Sequence, residues 1–223
     1  MKEKYIIISS LLACIFLYFI EQYVGVSYIV KTLSKLAFFV IIPIIYIKII
    51  KKSSIVEELN LRQLDKKRFK LGFIFGIASF TIVLTAYFIF KGAIDLNGIV
   101  SDLQEKNITP ANFIFIGLYV TLGNSFLEEF FFRGFIFLNL YNMKKEKLAY
   151  FYSSVLFGLY HIGIFKAWFN IWLILLCLIG LITVGFIFNW LNTKSNNFIN
   201  SWLVHILADS AIILIGLRMF GII

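Results

Sequence analysis

A chain of 223 residues that is 61% hydrophobic and only 15% charged, with a mean hydropathy of +0.90, falls outside the range of ordinary soluble domains. A net charge of +9 would suggest nucleic acid in a soluble protein. Here the basic residues fall mostly between apolar segments, which is how a membrane protein sets its orientation, so the expected surroundings are a lipid bilayer and not nucleic acid. The two cysteines, Cys14 and Cys177, sit in apolar stretches without a CxxC or a Cys/His neighbour. That argues against a disulfide framework and a thiolate metal site, and both read as small packing residues. The bias towards Lys, Ile, Phe and Asn points to a low-GC bacterium.

In chain order, Lys2 and Lys4 precede an apolar run over residues 5–20. The run resembles a signal peptide but has no small-residue cleavage site after it, and it continues past Cys14, so it is expected to be a first transmembrane helix. A second helix is expected at about residues 33–50, with Pro43 producing a kink whose freed carbonyl neighbours satisfy. The basic stretch 48–70 follows. Its middle, residues 55–64, fits either a short amphipathic helix on the bilayer surface or a solvated loop. A third helix over residues 71–90 carries Gly72 and Gly76 at the spacing of a small-residue contact face. Residues 91–110 read as a polar loop. Thr109 and Pro110 then read as the cap and first turn of a fourth helix reaching residue 141, longer than the ~20 residues a span needs. A basic turn at 143–147 leads to a fifth helix (148–165, with His161) and a sixth (167–191). After residues 192–197, a seventh carries His205 and Asp209 and ends near Arg218.

The expectation is an all-α polytopic membrane bundle of about seven transmembrane helices. It forms one integral membrane domain over residues 1–223, with a motif-bearing core at 111–214. Most of the basic residues fall on one side, which the positive-inside rule makes cytoplasmic, together with the N-terminus in the cell membrane. The sequence says nothing about oligomeric state.

One stretch stands apart. Asn124 to Arg133 places Glu128, Glu129 and Arg133 in an otherwise apolar segment. An ionisable group there costs roughly 2.5–3.5 kcal/mol on insertion scales and is a functional hypothesis by default. Arg133 follows Glu129 by four residues and can pair with it on one face. Glu128 lies about 100° around the helix and is left without that partner. The division expected is therefore a structural or electrostatic Glu129 and a chemically free Glu128, with Asn124 one turn away in support. The blander reading is a buried ion pair that fixes helix packing.

Both histidines also fall in predicted membrane helices. His161 follows Phe157 by four residues, and His205 precedes Asp209 by four. Counted at about 1.5 Å per residue from the cytoplasmic helix ends, Glu128, His161 and Asp209 lie at roughly 18–21 Å and His205 at roughly 12 Å, in one zone of the bilayer. A carboxylate shielded from bulk water suits a general base, and imidazoles can hold water, donate to an oxyanion or bind metal. Two arrangements stay open. Glu128, His161 and His205 could form a three-ligand zinc site with an open position, although HExxH is absent. Alternatively, Glu128 and His161 activate water without metal while His205 and Asp209 stabilise the tetrahedral intermediate. The metal-free arrangement is preferred. Ser125 is a further intramembrane candidate with no nucleophile pattern around it.

The ordered set Glu128-Glu129-x-x-x-Arg133, Phe157-x-x-x-His161 and His205-x-x-x-Asp209 resembles the CPBP family. This is the family of CAAX proteases and bacteriocin-processing proteins, also called Abi proteins. The resemblance covers about residues 113–214. It implies an intramembrane endopeptidase in which Glu128 and His161 activate water, and in which His205 and Asp209 serve the oxyanion or a proposed metal. Well-studied CAAX prenyl proteases have Asn at the last position. An ionised Asp209 does not stabilise an oxyanion and could instead orient His205. The implied substrate is a peptide or membrane protein cut near the cytoplasmic face, in bacteriocin self-immunity or the processing of a secreted or signalling peptide. The alternatives are a non-proteolytic membrane scaffold or immunity protein that binds a toxin receptor or sensor kinase, and a proton-coupled carrier. The absence of internal repeats counts against the carrier.

Overall fold

A backbone inside a bilayer must satisfy its own hydrogen bonds, so long apolar runs become helices. The computed structural model describes residues 2–24, 28–58 and 66–223, and among these it contains helices and no strand. Its elements are α1 (Lys2–Tyr23), α2 (Tyr28–Lys51), α3 (Ile55–Glu58), α4 (Lys66–Phe90), α5 (Leu96–Glu105), α6 (Phe113–Asn142), α7 (Glu146–Phe165), α8 (Ile171–Ser195) and α9 (Ile199–Met219). All except α3 and α5 are long and apolar enough to cross a membrane, which makes seven candidate spans. The polytopic helical bundle read from composition is the fold.

The bundle is built around α6. Nearly every residue from 125 to 140 on it is buried. The first half of α6 packs on α9, and the second half on α1, α2, α7 and α8. Its phenylalanines interlock with rings on the neighbouring helices. Phe131 stacks on Phe39 of α2 at 4.1 Å between centroids, and Phe132 meets Phe157 of α7 edge-on at 5.3 Å. Such rings carry large apolar area and hold defined mutual angles, so they fix the rotation of each helix about its axis. α4 packs along α9, where Gly72 faces Asn200 and Gly76 faces Leu207, as the small-residue spacing implied.

Both helices that matter most for the site depart from regular α geometry. α2 has π-helical stretches at Ala37–Ile41 and Tyr46–Lys51, with Pro43 in the short α-helical turn between them. The expected proline irregularity is thus a pair of widened turns within a continuous helix, through which the freed backbone groups are rearranged. α6 likewise has π-helical turns at Tyr119–Asn124 and Phe130–Phe137, on either side of the α-helical turn Ser125–Glu129.

Three sequence expectations change. Thr109 and Pro110 do not open α6. They sit in a turn where Asn112 Oδ1 accepts from the Thr109 amide (2.8 Å), and the helix begins at Phe113. The polar stretch 91–110 is not simply a loop, because it contains α5, capped by Asp95, whose side chain accepts from the Gly98 amide at 2.9 Å. Asp102 fastens α5 to the α7–α8 connection, accepting from Trp168 Nε1 and from Lys106 Nζ, both at 2.8 Å. Burial pushes the Asp102 carboxyl up, but these two donors outweigh it and hold the group below the ordinary carboxylate range. Finally, of the possible interfacial helix at 55–64, Ile55–Glu58 is helical and the remainder lies outside the described residues.

Candidate active site

Four helices bring their polar side chains to one place. α6 supplies Asn124, Glu128, Glu129 and Arg133, α7 supplies His161, and α9 supplies His205 and Asp209. The fourth helix is α2, which supplies Lys35. Glu128, Glu129 and Arg133 are at most 1% exposed.

Glu129 and Arg133 pair as their spacing implies, with Arg133 Nη1 3.0 Å from Glu129 Oε1. The guanidinium also lies over the Phe157 ring, 3.9 Å from its centroid, and over Phe188 at 4.8 Å. Glu129 has a second role that the local pattern did not show. The same Oε1 accepts from His205 Nδ1–H at 3.0 Å. A carboxylate oxygen only accepts, so the proton is on Nδ1 and His205 Nε2 points away from Glu129. His161 is oriented in the same sense, its Nδ1–H donating to the Phe157 carbonyl at 2.8 Å while the two rings pack at 4.4 Å.

Both Nε2 atoms therefore face Glu128. His161 Nε2 lies 3.4 Å and His205 Nε2 3.7 Å from Glu128 Oε2. Oε2 is buried and has no hydrogen-bond partner among the described residues. These separations are too long for good direct hydrogen bonds but suit a small donor held between the groups. Asp209 Oδ1 lies 3.8 Å from His205 Nε2, and its Oδ2 has no partner among the described residues. Glu129 is the group that orients His205, the task left open for Asp209.

Glu128 is not paired with Arg133, as the spacing implied, but a cation from another helix reaches it. Lys35 Nζ donates to Glu128 Oε1 at 3.0 Å and to Asn124 Oδ1 at 2.6 Å, while Asn124 Nδ2 donates to the same Glu128 oxygen at 3.0 Å. The second helix was expected to start near residue 33, which puts Lys35 in its first turn. The helix starts at Tyr28, which draws Lys35 more than a turn inside. Its burial beside an acid could be read from no local spacing. Ser125 is occupied, its hydroxyl donating to the Thr121 carbonyl and accepting from Trp202 Nε1 at 3.0 Å.

The residues carry donor types that zinc accepts. Among the described residues no three His, Cys, Asp or Glu side chains form a group able to hold a metal ion, and Glu128 Oε1 is already taken by an ammonium.

The family described as "Type II CAAX prenyl endopeptidase Rce1-like" matches residues 110–211, which include every site residue on α6, α7 and α9. The UPF0177 protein YxdF of Lactococcus lactis subsp. lactis (strain IL1403) is 32% identical over 155 residues, covering 66% of this chain and 76% of that protein. The chain belongs to the CPBP family. No solved structure matches it. As a CPBP protein it is a multi-pass membrane protein of the intramembrane protease class. Lys35 lies outside the segment that matches the CAAX endopeptidase family.

Proposed function

We propose that this CPBP protein is an intramembrane endopeptidase that hydrolyses a peptide bond with water activated by Glu128 and His161, without a metal. The observation that carries this reading is the convergence of His161 Nε2 and His205 Nε2 on the unpartnered oxygen of Glu128, at 3.4 and 3.7 Å. Water placed there donates one hydrogen to Glu128 Oε2 and one to His161 Nε2. Glu128 takes a proton as the water oxygen adds to the substrate carbonyl, giving a tetrahedral oxyanion. His205, anchored at Nδ1 by Glu129, donates from Nε2 to that oxyanion in its imidazolium form. Glu128 then delivers its proton to the leaving amine, and the carbonyl re-forms as the C–N bond breaks. The net reaction is peptide plus water to carboxyl plus amine. Asp209 lies beside His205 and balances the imidazolium charge. The metal-free form is favoured because Lys35 already supplies a fixed cation at the catalytic carboxylate.

The basic flanks favour a cytoplasmic N-terminus in the cell membrane and a cleavage near the cytoplasmic face. A peptide or membrane-protein substrate, in bacteriocin self-immunity or in maturation of a secreted or signalling peptide, fits a family that contains bacteriocin-processing members.

The test is to express Glu128→Gln, His161→Ala and His205→Ala at native levels and to follow membrane and secreted peptides by mass spectrometry. Each variant should accumulate the same uncut precursor, with losses of at least about 10²-fold in cleavage. If all three are folded and process every peptide as the native protein does, the endopeptidase fails and a binding scaffold replaces it.

A further inference from the structure

Lys35 is the one site residue that neither the sequence motifs nor the family match includes. Its side chain is 16% exposed, within a span, and its ammonium bridges Glu128 Oε1 (3.0 Å) and Asn124 Oδ1 (2.6 Å). It also lies over the ring of Tyr160, 5.2 Å from Nζ to centroid. Asn124 Nδ2 completes a closed triangle by donating to Glu128 Oε1 at 3.0 Å. The two carboxylate oxygens of Glu128 are therefore unequal. Oε1 accepts from both Lys35 and Asn124, whereas Oε2 has no hydrogen-bond partner among the described residues and faces both imidazoles.

An ammonium within a membrane span is costly, and a well-packed apolar side chain would hold α2 against α6 at least as well. The packing there is already supplied by Phe39 and Phe131. The charge is explained by what it does to Glu128.

We propose that Lys35 is a positioning residue for Glu128, clamping Oε1 so that Oε2 alone is the base that meets water and returns the proton. The inference rests on the hydrolytic reading above. Two donors on Oε1 fix the rotation of the carboxyl group, which keeps the Oε2 lone pair between the two Nε2 atoms. When Oε2 takes a proton from water, Oε1 remains an acceptor for Lys35 and Asn124, so the proton stays on the oxygen that faces the leaving amine. Lys35 keeps its own three protons throughout. Without the clamp the carboxyl is free to turn, and misplacement of a reacting group by about 1 Å can cost 10²-fold in rate.

The experiment compares Lys35→Met and Lys35→Arg in the full-length protein reconstituted in lipid. The substrate is the precursor that accumulates in Glu128→Gln cells. Lys35→Met should lower kcat by about 10²-fold with KM changed little, because the clamp acts on the base and not on the peptide. Lys35→Arg, whose planar fork can donate to Glu128 Oε1 and Asn124 Oδ1 together, should recover most of that loss. A kcat per folded molecule equal to native in Lys35→Met overturns the proposal, as does an equal loss of kcat in both variants.

A second measurement does not depend on hydrolysis. The infrared difference between native protein and Glu128→Gln isolates the Glu128 carboxylate stretch. That band should shift in Lys35→Met and return in Lys35→Arg, and an unshifted band overturns the clamp. Failure of the native protein to cleave anything counts against the endopeptidase alone, since the infrared result still decides Lys35.

Discussion

Replacing Glu129 by Gln separates what this residue does for folding from what it does for the site. Glu129 and Arg133 are both 0% exposed and 3.0 Å apart, so Glu129→Gln leaves a buried guanidinium without its counter-ion. Breaking a buried pair from one side costs about 3–5 kcal/mol, because the remaining charge stays desolvated. Contact of the guanidinium with the Phe157 and Phe188 rings is present in native protein and variant alike, so it does not offset this. A loss of about 3–5 kcal/mol is therefore expected. Removing the stranded charge as well, in Glu129→Gln/Arg133→Met, should bring stability back to within about 1 kcal/mol of native, since an apolar side chain of similar length fills the same space. Hydrolytic activity should not return with it. Gln presents a weaker acceptor to His205 Nδ1, and its amide can rotate to offer NH₂ instead, so the tautomer and direction of His205 are no longer fixed. The assay pairs reversible denaturant unfolding in mixed micelles with cleavage rates for the native protein, the single variants and the double variant. Native stability in Glu129→Gln would refute the buried-pair argument. Full activity in the double variant would refute the claim that Glu129 holds His205 for catalysis.

Two other expectations follow from different parts of the molecule. Exhaustive chelation of the purified protein should leave cleavage unchanged, and elemental analysis should find no stoichiometric zinc. Loss of activity with rescue by zinc alone would move Glu128, His161 and His205 into ligand roles. In the packing of α4 on α9, a Cβ on Gly72 would sit 3.1 Å from the Asn200 carbonyl oxygen, so Gly72→Leu forces the helices apart. It should cost about 1–3 kcal/mol in the same unfolding assay, and a neutral result would mean that α4 is free to shift.

Within each helix the amino-acid sequence determined a great deal. Seven apolar runs became seven candidate spans, because the bilayer leaves the backbone no other way to pair its polar groups. The pairing of Glu129 with Arg133 and the packing of His161 on Phe157 follow from residues four apart on one helix, a spacing that any sequence displays directly. Helix α5 was missed because its polar composition resembles that of a loop, and its anchor, Asp102 to Trp168, joins residues 66 positions apart. The pairing of Lys35 with Glu128 spans 93 positions, and that of His205 with Glu129 spans 76. Such contacts depend on where a helix begins, how far it is rotated and which face its neighbour turns inward. Those angles are set by ring packing around α6 and by its π-helical turns, and helical periodicity carries no record of them. Lys35 apart, the residues of the site were therefore legible one helix at a time. Only the packing of the helices decided that Glu128 has a lysine on one oxygen and two imidazoles facing the other.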